Sequence, residues 1–553
     1  MKMLVANIVI CIAMLWLRMT MRAPFLNAAR NVKASQNKLL RRILRENAQT
    51  EFGKQHEFSG ITSVESFRAQ VPVSNYNDLS PYIKRQQKGA SSLTIAAPVF
   101  YARTSGTTGR YKDIPMTASG VGQIKHFKRQ LVYSLWRKTN FFKGTVLGFF
   151  SPGVEGQLSN GIPYGSTSGA TYESLSPIFA QKFGIPKEAY SLIDVEAKYE
   201  VYALSVLVYD STTGVFTVNP SSLLKVCRII EQRAEELLAA LVKGDESGIL
   251  KGTASVLPQL RKQMSPDRKV SLNLALNEEA VISPDILWPS LSTLVTWTGG
   301  SCGIALEKLK CYLPSCVQVV ETGFACSEFI GTVNVDAERN VCLPMLTDNF
   351  YEFVERDDWE ASDPKFLTLD ELQLGRDYYI FATTSSGLYR YDINDVVRVT
   401  EGLGNCPGLK FVRKGKGVTN ITGEKLSEDQ VIAAVSSGLR HEGQVAATYL
   451  VLADENASVY RIMIELPAGI SLSALSEKIE TELRHSNGEY DDKRASGRLQ
   501  PVVVKRFLDG ADQAIKSRFL KGGVRESQYK PPVLGYWNDW VEWIDDWIDR
   551  EET

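Results

Sequence analysis

Histidine is scarce in this chain, and neither sign of charge is in excess. The 553 residues include four histidines, His56, His126, His441 and His485, none of them in a recognisable motif. A histidine-dependent triad is hard to build from them, because such a site needs a base held beside a nucleophile by a third group. Eight cysteines are scattered without one C-x-x-C pair, and no zinc pattern forms around the closest couple, Cys311 and Cys316. Reduced, packed thiols in a cytosolic compartment are the reading that follows. Lys plus Arg and Asp plus Glu both number 63, so no global field recruits nucleic acid. There is no G-x-x-x-x-G-K-[ST] and no G-x-G-x-x-G after a strand; a Walker loop is excluded and nicotinamide chemistry has no support. The rest, 44% hydrophobic and 23% charged, is an ordinary globular composition, with length for roughly two to four domains.

The start of the chain is unusual. Met3 to Leu17 is an uncharged apolar run of fifteen residues, shorter than the roughly 20 that a spanning helix wants. No small-residue cleavage site follows it. Arg18, Arg22, Arg30 and Lys33 do, with no acid before Glu46, which would keep the downstream side cytoplasmic. The run therefore reads either as a short membrane anchor within residues 1–22 or as an amphipathic or buried first helix with no membrane role.

Periodicity predicts a helix over residues 35–47, with Leu39, Leu40, Ile43 and Leu44 on one face, and others over 124–137 and 223–242. Short strands are expected at 98–101, 294–298 and 317–321, then at 378–384, 388–391 and 396–399, with a Ser-Ser-Gly turn and a turn at Asp392–Asp395 between the last three. Near Arg413 the character changes at a basic, glycine-rich connector. Beyond it, a helix opened by Ser427-x-x-Gln430 and closed near Gly438, strands at 445–452 and 460–466, a helix at 472–484 and a strand at 502–507 outline a smaller αβ domain. The tail, with Trp537, Trp540, Trp543, Ile544 and Trp547 among acids, reads as an amphipathic helix docked on the fold, since its acidic face would be repelled by anionic lipid.

The most informative stretch is Thr104-Ser105-Gly106-Thr107-Thr108-Gly109-Arg110-Tyr111-Lys112. A glycine-loosened turn of successive N–H groups, with hydroxyl donors and a lysine, is a phosphate cradle; on its own it could equally be a plain polar loop. Three further segments follow in order: Glu321-Thr-Gly-Phe-Ala-Cys-Ser-Glu328, Leu388-Tyr-Arg-Tyr-Asp-Ile-Asn-Asp395, and Arg413 with Gly423-Glu424-Lys425. Together they resemble the signature series of the adenylate-forming superfamily. More narrowly, Gly161–Gly169, Leu388–Tyr391 and Gln528-Tyr529-Lys530 are similar to the Gretchen Hagen family of acyl-acid amido synthetases. The likeness runs from about Ser35 to Pro532.

The resemblance implies an α/β adenylate-forming architecture: a large N-terminal domain over 35–412 and a small mobile C-terminal domain from 413 to 553, with the site at their junction. It implies ATP and Mg²⁺, a small carboxylic acid activated as an acyl-AMP, and an amino acid or other amine as acceptor. It assigns Thr104, Ser105, Gly106, Thr107, Thr108, Gly109 and Lys112 to the phosphates, Glu328 to Mg²⁺, Phe324 to the adenine face and Asp395 to the ribose hydroxyls. Arg413 is assigned to phosphate or ribose and to the hinge, and Lys530 to the charge developing at the α-phosphate. The sequence departs from the family pattern at Asn394, where glycine is usual, at Asp392 for arginine, at Cys326 for serine and at Phe324 for tyrosine. An acyl-CoA or carrier-protein ligase would share every nucleotide motif, and an inactive binding module of the same fold is a further alternative. A catalytic domain in the cytoplasm is expected whichever way the N-terminal run is used.

Overall fold

The computed structural model describes residues 11–549 apart from 106–110, 151–153, 166–179, 193, 245–249, 251, 254, 280, 300–301, 360–362, 416, 445–447, 468 and 522–531. The fold is mixed α/β, as expected, and divides into two compact units: residues 1–104 with 112–412, and 105–111 with 413–553.

In the larger unit, four parallel strands form one sheet in the order Thr145–Phe149, Thr212–Thr217, Thr293–Thr296, Gln318–Glu321. Thr293–Thr296 is buried at every position, the pattern of a strand covered on both faces. The amphipathic helix Pro220–Lys243 packs in the same core, burying Leu223, Val226, Ile230, Leu237 and Leu241. A second, antiparallel sheet runs Asn349–Glu355, Asp377–Thr384, Tyr391–Leu403, Cys406–Lys414. The helix Val32–Asn47 packs on its first strand with Leu39, Leu40, Ile43 and Leu44 buried. Gln36, buried on that helix, locks the contact: its amide donates to the carbonyls of Leu346 and Asn349 at 2.7 and 2.9 Å, and its oxygen accepts from the Tyr351 N–H at 2.9 Å.

The strand expected at 388–391 is not one. Leu388–Arg390 leave the sheet and pairing resumes at Tyr391, because Arg390 takes a left-handed φ of 43° to turn its side chain inward. The turn expected at Asp392–Asp395 is a bulge within the strand Tyr391–Leu403: pairing passes from Asp392 to Val396 with a shift of register, and Asn394 between them is left-handed.

The N-terminal run also needs correction. Residues 3–10 lie outside the described residues; 11–17 are helical and lead through a π turn, Arg18–Arg22, into the helix Ala23–Arg30. Met14 is fully buried. Arg22 is buried too, donating to Gln130 Oε1 at 3.1 Å and to the Val335 carbonyl, and burial lowers its pKa. Among the described residues no helix is long and apolar enough to cross a membrane; Met14 and Arg22 fix the 14–22 stretch on the larger unit, while Leu15, Trp16, Arg18, Met19 and Thr20 between them stay exposed.

In the smaller unit the sheet order is Val503–Arg506, Val459–Ile464, Tyr449–Asp454, Leu534–Tyr536. Strand alternation sends Val451, Tyr460 and Ile462 to one face and Leu450, Leu452 and Met463 to the other. The first face is covered by the helices Glu428–His441 and Leu472–Ser486. The second is covered by the Trp-rich tail, through Trp540, Ile544 and Ile548. That tail docks as expected, but as short helical pieces, 3₁₀ at Trp537–Asp539 and Asp545–Trp547 flanking Val541–Ile544.

The capping box at Ser427 and Gln430 forms, but the helix does not stop at Gly438. That glycine is buried where a Cβ would come within 2.9 Å of Ile479 and Leu475, so its role is close helix approach rather than termination. Gly438→Val should therefore overpack this contact and cost about 1–3 kcal/mol, read as a lowered denaturant midpoint of the smaller unit.

Candidate functional site

In open sheets of parallel strands, ligands collect at the carboxyl ends, and the second signature segment lies there, continuing directly from Gln318–Glu321. Glu321 clamps two neighbouring strand ends together. Its Oε2 accepts from the Thr298 N–H at 2.6 Å and hydroxyl at 2.7 Å, and its Oε1 from the Gly323 N–H at 2.9 Å. Gly323 has φ 114°, and a Cβ there would lie 2.4 Å from the Thr332 carbonyl; only glycine fits this turn.

The clamped segment leads to Glu328, partly exposed in a narrow cleft with Met116, Gly120, Gln123, Thr384 and Ser386. The cleft floor is tightly specified. A Cβ on Gly120 would sit 2.4 Å from Ser386 Oγ, and Gln123 donates to the Asp348 carbonyl at 3.0 Å. Burial pushes the Tyr391 phenol well above its ordinary range, with the Glu328 carboxylate adding to the effect; Glu328 and the third signature segment thus share one electrostatic neighbourhood. Among the described residues no cluster of three or more metal-binding side chains occurs. A lone accessible carboxylate suits Mg²⁺, which takes one or two protein carboxylates alongside phosphate oxygens and water.

The third segment is held by a buried ionic network. Glu352 is 1% exposed. Its two oxygens accept from Arg68 Nε and Arg390 Nε, each at 2.9 Å. Arg390 also donates to the carbonyls of Val71 and Arg68, at 2.9 and 3.2 Å, and lies over the Phe366 ring. Backbone bonds tie the same turn to Ser74: the Ser74 N–H donates to the Arg390 carbonyl at 3.1 Å, and the Asp392 N–H to the Ser74 carbonyl at 2.8 Å. Beyond the turn, Asn394 is left-handed at φ 57°, with its N–H on Asp392 Oδ1 at 2.7 Å. This accounts for two departures from the family pattern: asparagine tolerates the conformation glycine would supply, and Asp392 braces it. Asp395 then follows, a carboxylate only 2% exposed.

The larger unit holds Glu328 in the cleft, within electrostatic reach of Tyr391, and carries Asp395 four residues further along the strand that Tyr391 opens. Lys112 is on the strand Tyr111–Met116 with its ammonium 5.5 Å from the Tyr76 ring centre. Thr104 and Ser105 end the strand Phe100–Ser105, while Gly106, Thr107, Thr108, Gly109 and Lys530 lie outside the described residues. Phe324 is 8% exposed, stacked on Phe411 with centroids 5.7 Å apart and edge-on to Phe329; in the fold its ring is core packing. Arg413 belongs to the smaller unit, paired to Asp539 at 2.9 Å and lying over Tyr536. Sequence reasoning missed Glu352, Arg68 and Ser386. The first two could have been suspected only as charges inside otherwise apolar, strand-forming or helical text, and Ser386 only as part of a turn.

Three domain models match the chain in order: the GH3 family N-terminal domain over residues 22–319, the GH3 family central domain over 342–414 and the GH3 family C-terminal domain over 429–538. The chain is 23% identical to the indole-3-acetic acid-amido synthetase GH3.3 of Arabidopsis thaliana, covering 91% of this chain and 89% of that one. It is also 23% identical to the 4-substituted benzoates-glutamate ligase GH3.12 of the same plant, over 91% and 92%. Among solved structures, the GH3.15 acyl acid amido synthetase superposes with a TM-score of 0.63 at 23% identity, covering 95% of each chain. A 2-hydroxyisobutyryl-CoA ligase, described with an acyl-AMP and CoA in a thioesterification state, superposes with a TM-score of 0.53 at 11% identity, over 94% and 93%.

Removing one member of a buried ion pair leaves the other uncompensated. Glu352→Gln should therefore lower stability by about 3–5 kcal/mol. At Asn394, glycine should be tolerated while valine should cost about 1–2 kcal/mol for the left-handed backbone. Both series are read by denaturant unfolding.

Proposed function

Because this chain belongs to the GH3 family, we propose that it is an ATP-dependent acyl acid amido synthetase, which activates a small carboxylic acid as an acyl-AMP and transfers the acyl group to an amino acid. The observation that carries this reading is the ordered match of all three family domains; the electrostatic reach of Glu328 to Tyr391, which links two signature segments in the larger unit, supports it. The names of the relatives, indole-3-acetic acid and benzoate–glutamate ligases, support an acid and an amino acid as the substrate classes.

The chemistry assigns the roles. In the first half-reaction a carboxylate oxygen attacks the α-phosphorus of ATP and pyrophosphate leaves, so negative charge must be gathered and spread. Asp395, an ionised carboxylate with two acceptor oxygens, takes both ribose hydroxyls. The 104–112 segment, with Lys112, cradles the phosphates through N–H groups and hydroxyls. Glu328 would hold Mg²⁺, whose charge offsets that of the phosphates when it is bound. Lys530 and Arg413 supply positive charge at the phosphates, Lys530 where charge develops during acyl transfer to phosphorus. Phe324, its ring committed to the core against Phe411 and Phe329, backs the adenine side rather than stacking on the base. In the second half-reaction a neutral amine attacks the acyl carbon and AMP leaves. The N-terminal run belongs to the same proposal, as attachment to a membrane without a crossing helix.

Asp395→Ala should weaken ATP binding by about 1.5–3 kcal/mol, as for hydrogen bonds to a charged group; unchanged affinity by calorimetry removes Asp395 from the site. Lys530→Ala should slow acyl-AMP formation by roughly 10²–10³, the scale of one lost electrostatic stabiliser, and slow attack on supplied acyl-AMP less. Single-turnover measurements separate the two steps. The activity itself is tested by screening acids for pyrophosphate release, then supplying ATP, Mg²⁺ and mixed amino acids. An acid–amino acid conjugate is expected by mass spectrometry. A CoA thioester with no amide from any amine would defeat the assignment.

A further inference from the structure

The helical residues 11–17 and the π turn after them present two unlike faces. Met14 and Arg22 are buried inward, and the turn packs on the helix Ala118–Lys138. Outward stand Ile12, Leu15, Trp16 and Met19, exposed by 64, 55, 53 and 61%. Their spacing is i, i+3, i+4, i+7, a continuous apolar stripe on one side of a helix. Four large apolar side chains exposed in one stripe are not the scattered singles of an ordinary surface. The preceding text, Met3 to Ile10, is uncharged and mostly apolar.

The stripe has a cationic border. Arg18 is exposed within it, and Lys125 and Arg129 are exposed on the adjoining helix. Arg129 lines the same open cavity, about 400 Å³, as Trp16, Leu17, Met21 and Phe25. Lys128, between them in sequence, has its pKa lowered to about 8 by burial and by Arg129 and Lys125, and so still carries charge at neutral pH. The helix Ala118–Lys138 contains no acid, and the chain's first acid is Glu46. An apolar stripe beside Lys and Arg is what an anionic bilayer selects: side chains enter the acyl boundary while the cations meet the headgroups.

We infer that Ile12, Leu15, Trp16 and Met19, flanked by Arg18, Lys125 and Arg129, form an in-plane docking surface for an anionic lipid bilayer. This deepens the membrane-attachment part of the proposed function and is independent of the chemistry. The helix lies on the membrane rather than through it, because its opposite face is committed to the larger unit. The Trp-rich tail does not compete for the role, since Trp540, Ile544 and Ile548 are used up inside the smaller unit.

The full-length protein should co-sediment with vesicles of equimolar phosphatidylcholine and phosphatidylserine, and more weakly with phosphatidylcholine alone. Leu15→Glu with Trp16→Glu, both exposed, should weaken binding about tenfold or more, and Lys125→Glu with Arg129→Glu should remove its salt dependence. Pyrophosphate release with an accepted acid should be unchanged in both variants, so failure of docking and failure of the catalytic reading are read by separate assays. No binding of the full-length protein to the anionic vesicles, or equal binding by the Leu15→Glu/Trp16→Glu variant, overturns the inference. So does light scattering that shows a dimer which that variant converts to monomer, since the stripe would then be covered by a second copy.

Discussion

Much of the larger unit depends on one buried carboxylate. Glu352 sits in the first strand of the antiparallel sheet, where its neighbours Tyr351 and Phe353 are fully buried, and an unpaired charge there would cost several kcal/mol. Arg390 and Arg68 remove that cost only if both are brought to it. Arg68 comes from the short helix Val64–Gln70 and Arg390 from the bend before Tyr391, so satisfying Glu352 fixes the N-terminal helical region against the sheet. Arg390 reaches it only with a left-handed backbone, a strain of order 1–2 kcal/mol that the ion pairs and the two carbonyl contacts offset. The stack of Phe52 on Tyr389, at 5.0 Å and 11°, adds apolar contact on the neighbouring residue. The bend in turn sets where Tyr391, Asn394 and Asp395 stand.

This explains how far the sequence was legible. The helix expected at 223–242 forms as Pro220–Lys243 because its apolar period and its own burial agree. The capping box at Ser427 is local chemistry and also forms as read. Leu388–Tyr391 failed as a strand for the opposite reason: its apolar text suits one, but a partner 38 residues away, Glu352, decides the conformation. Gly438 failed likewise, since a stop signal and a close-packing glycine look the same until Ile479 and Leu475 are placed beside it.

The signature residues divide in the same way. Glu321, read only as part of a motif, is a clamp between loops whose other half is Thr298. Phe324 packs in the core. Glu328 is partly exposed in the cleft, and Asp395 is a buried carboxylate on the strand the network positions. A motif therefore mixes residues proposed for the site with residues that hold the backbone, and partners distant in sequence separate the two. Asn394 is the instructive intermediate. It stands where the family pattern has glycine, yet its left-handed φ keeps the backbone the glycine would have given.

Arg413 poses the remaining physical question, because a residue assigned to phosphate or ribose is engaged elsewhere. Its partner Asp539 is 54% exposed and its own side chain 27%, so the pair is screened and worth about 0–1 kcal/mol. A charge-assisted hydrogen bond to a phosphate is roughly twice as strong as a neutral one. In the proposed role, exchanging Asp539 for a phosphate oxygen would therefore cost Arg413 little. What Arg413 would leave behind is also tolerable. Burial and the neighbouring carboxylates of Asp539, Glu424 and Asp454 push the pKa of Glu455 up to about 7, against the opposing pull of Arg413. Removing that cation raises the pKa of the half-buried Glu455 further, which favours its neutral form. A carboxyl poised in this range lets the guanidinium change partners without stranding an anion, which suits a residue at the start of the smaller unit.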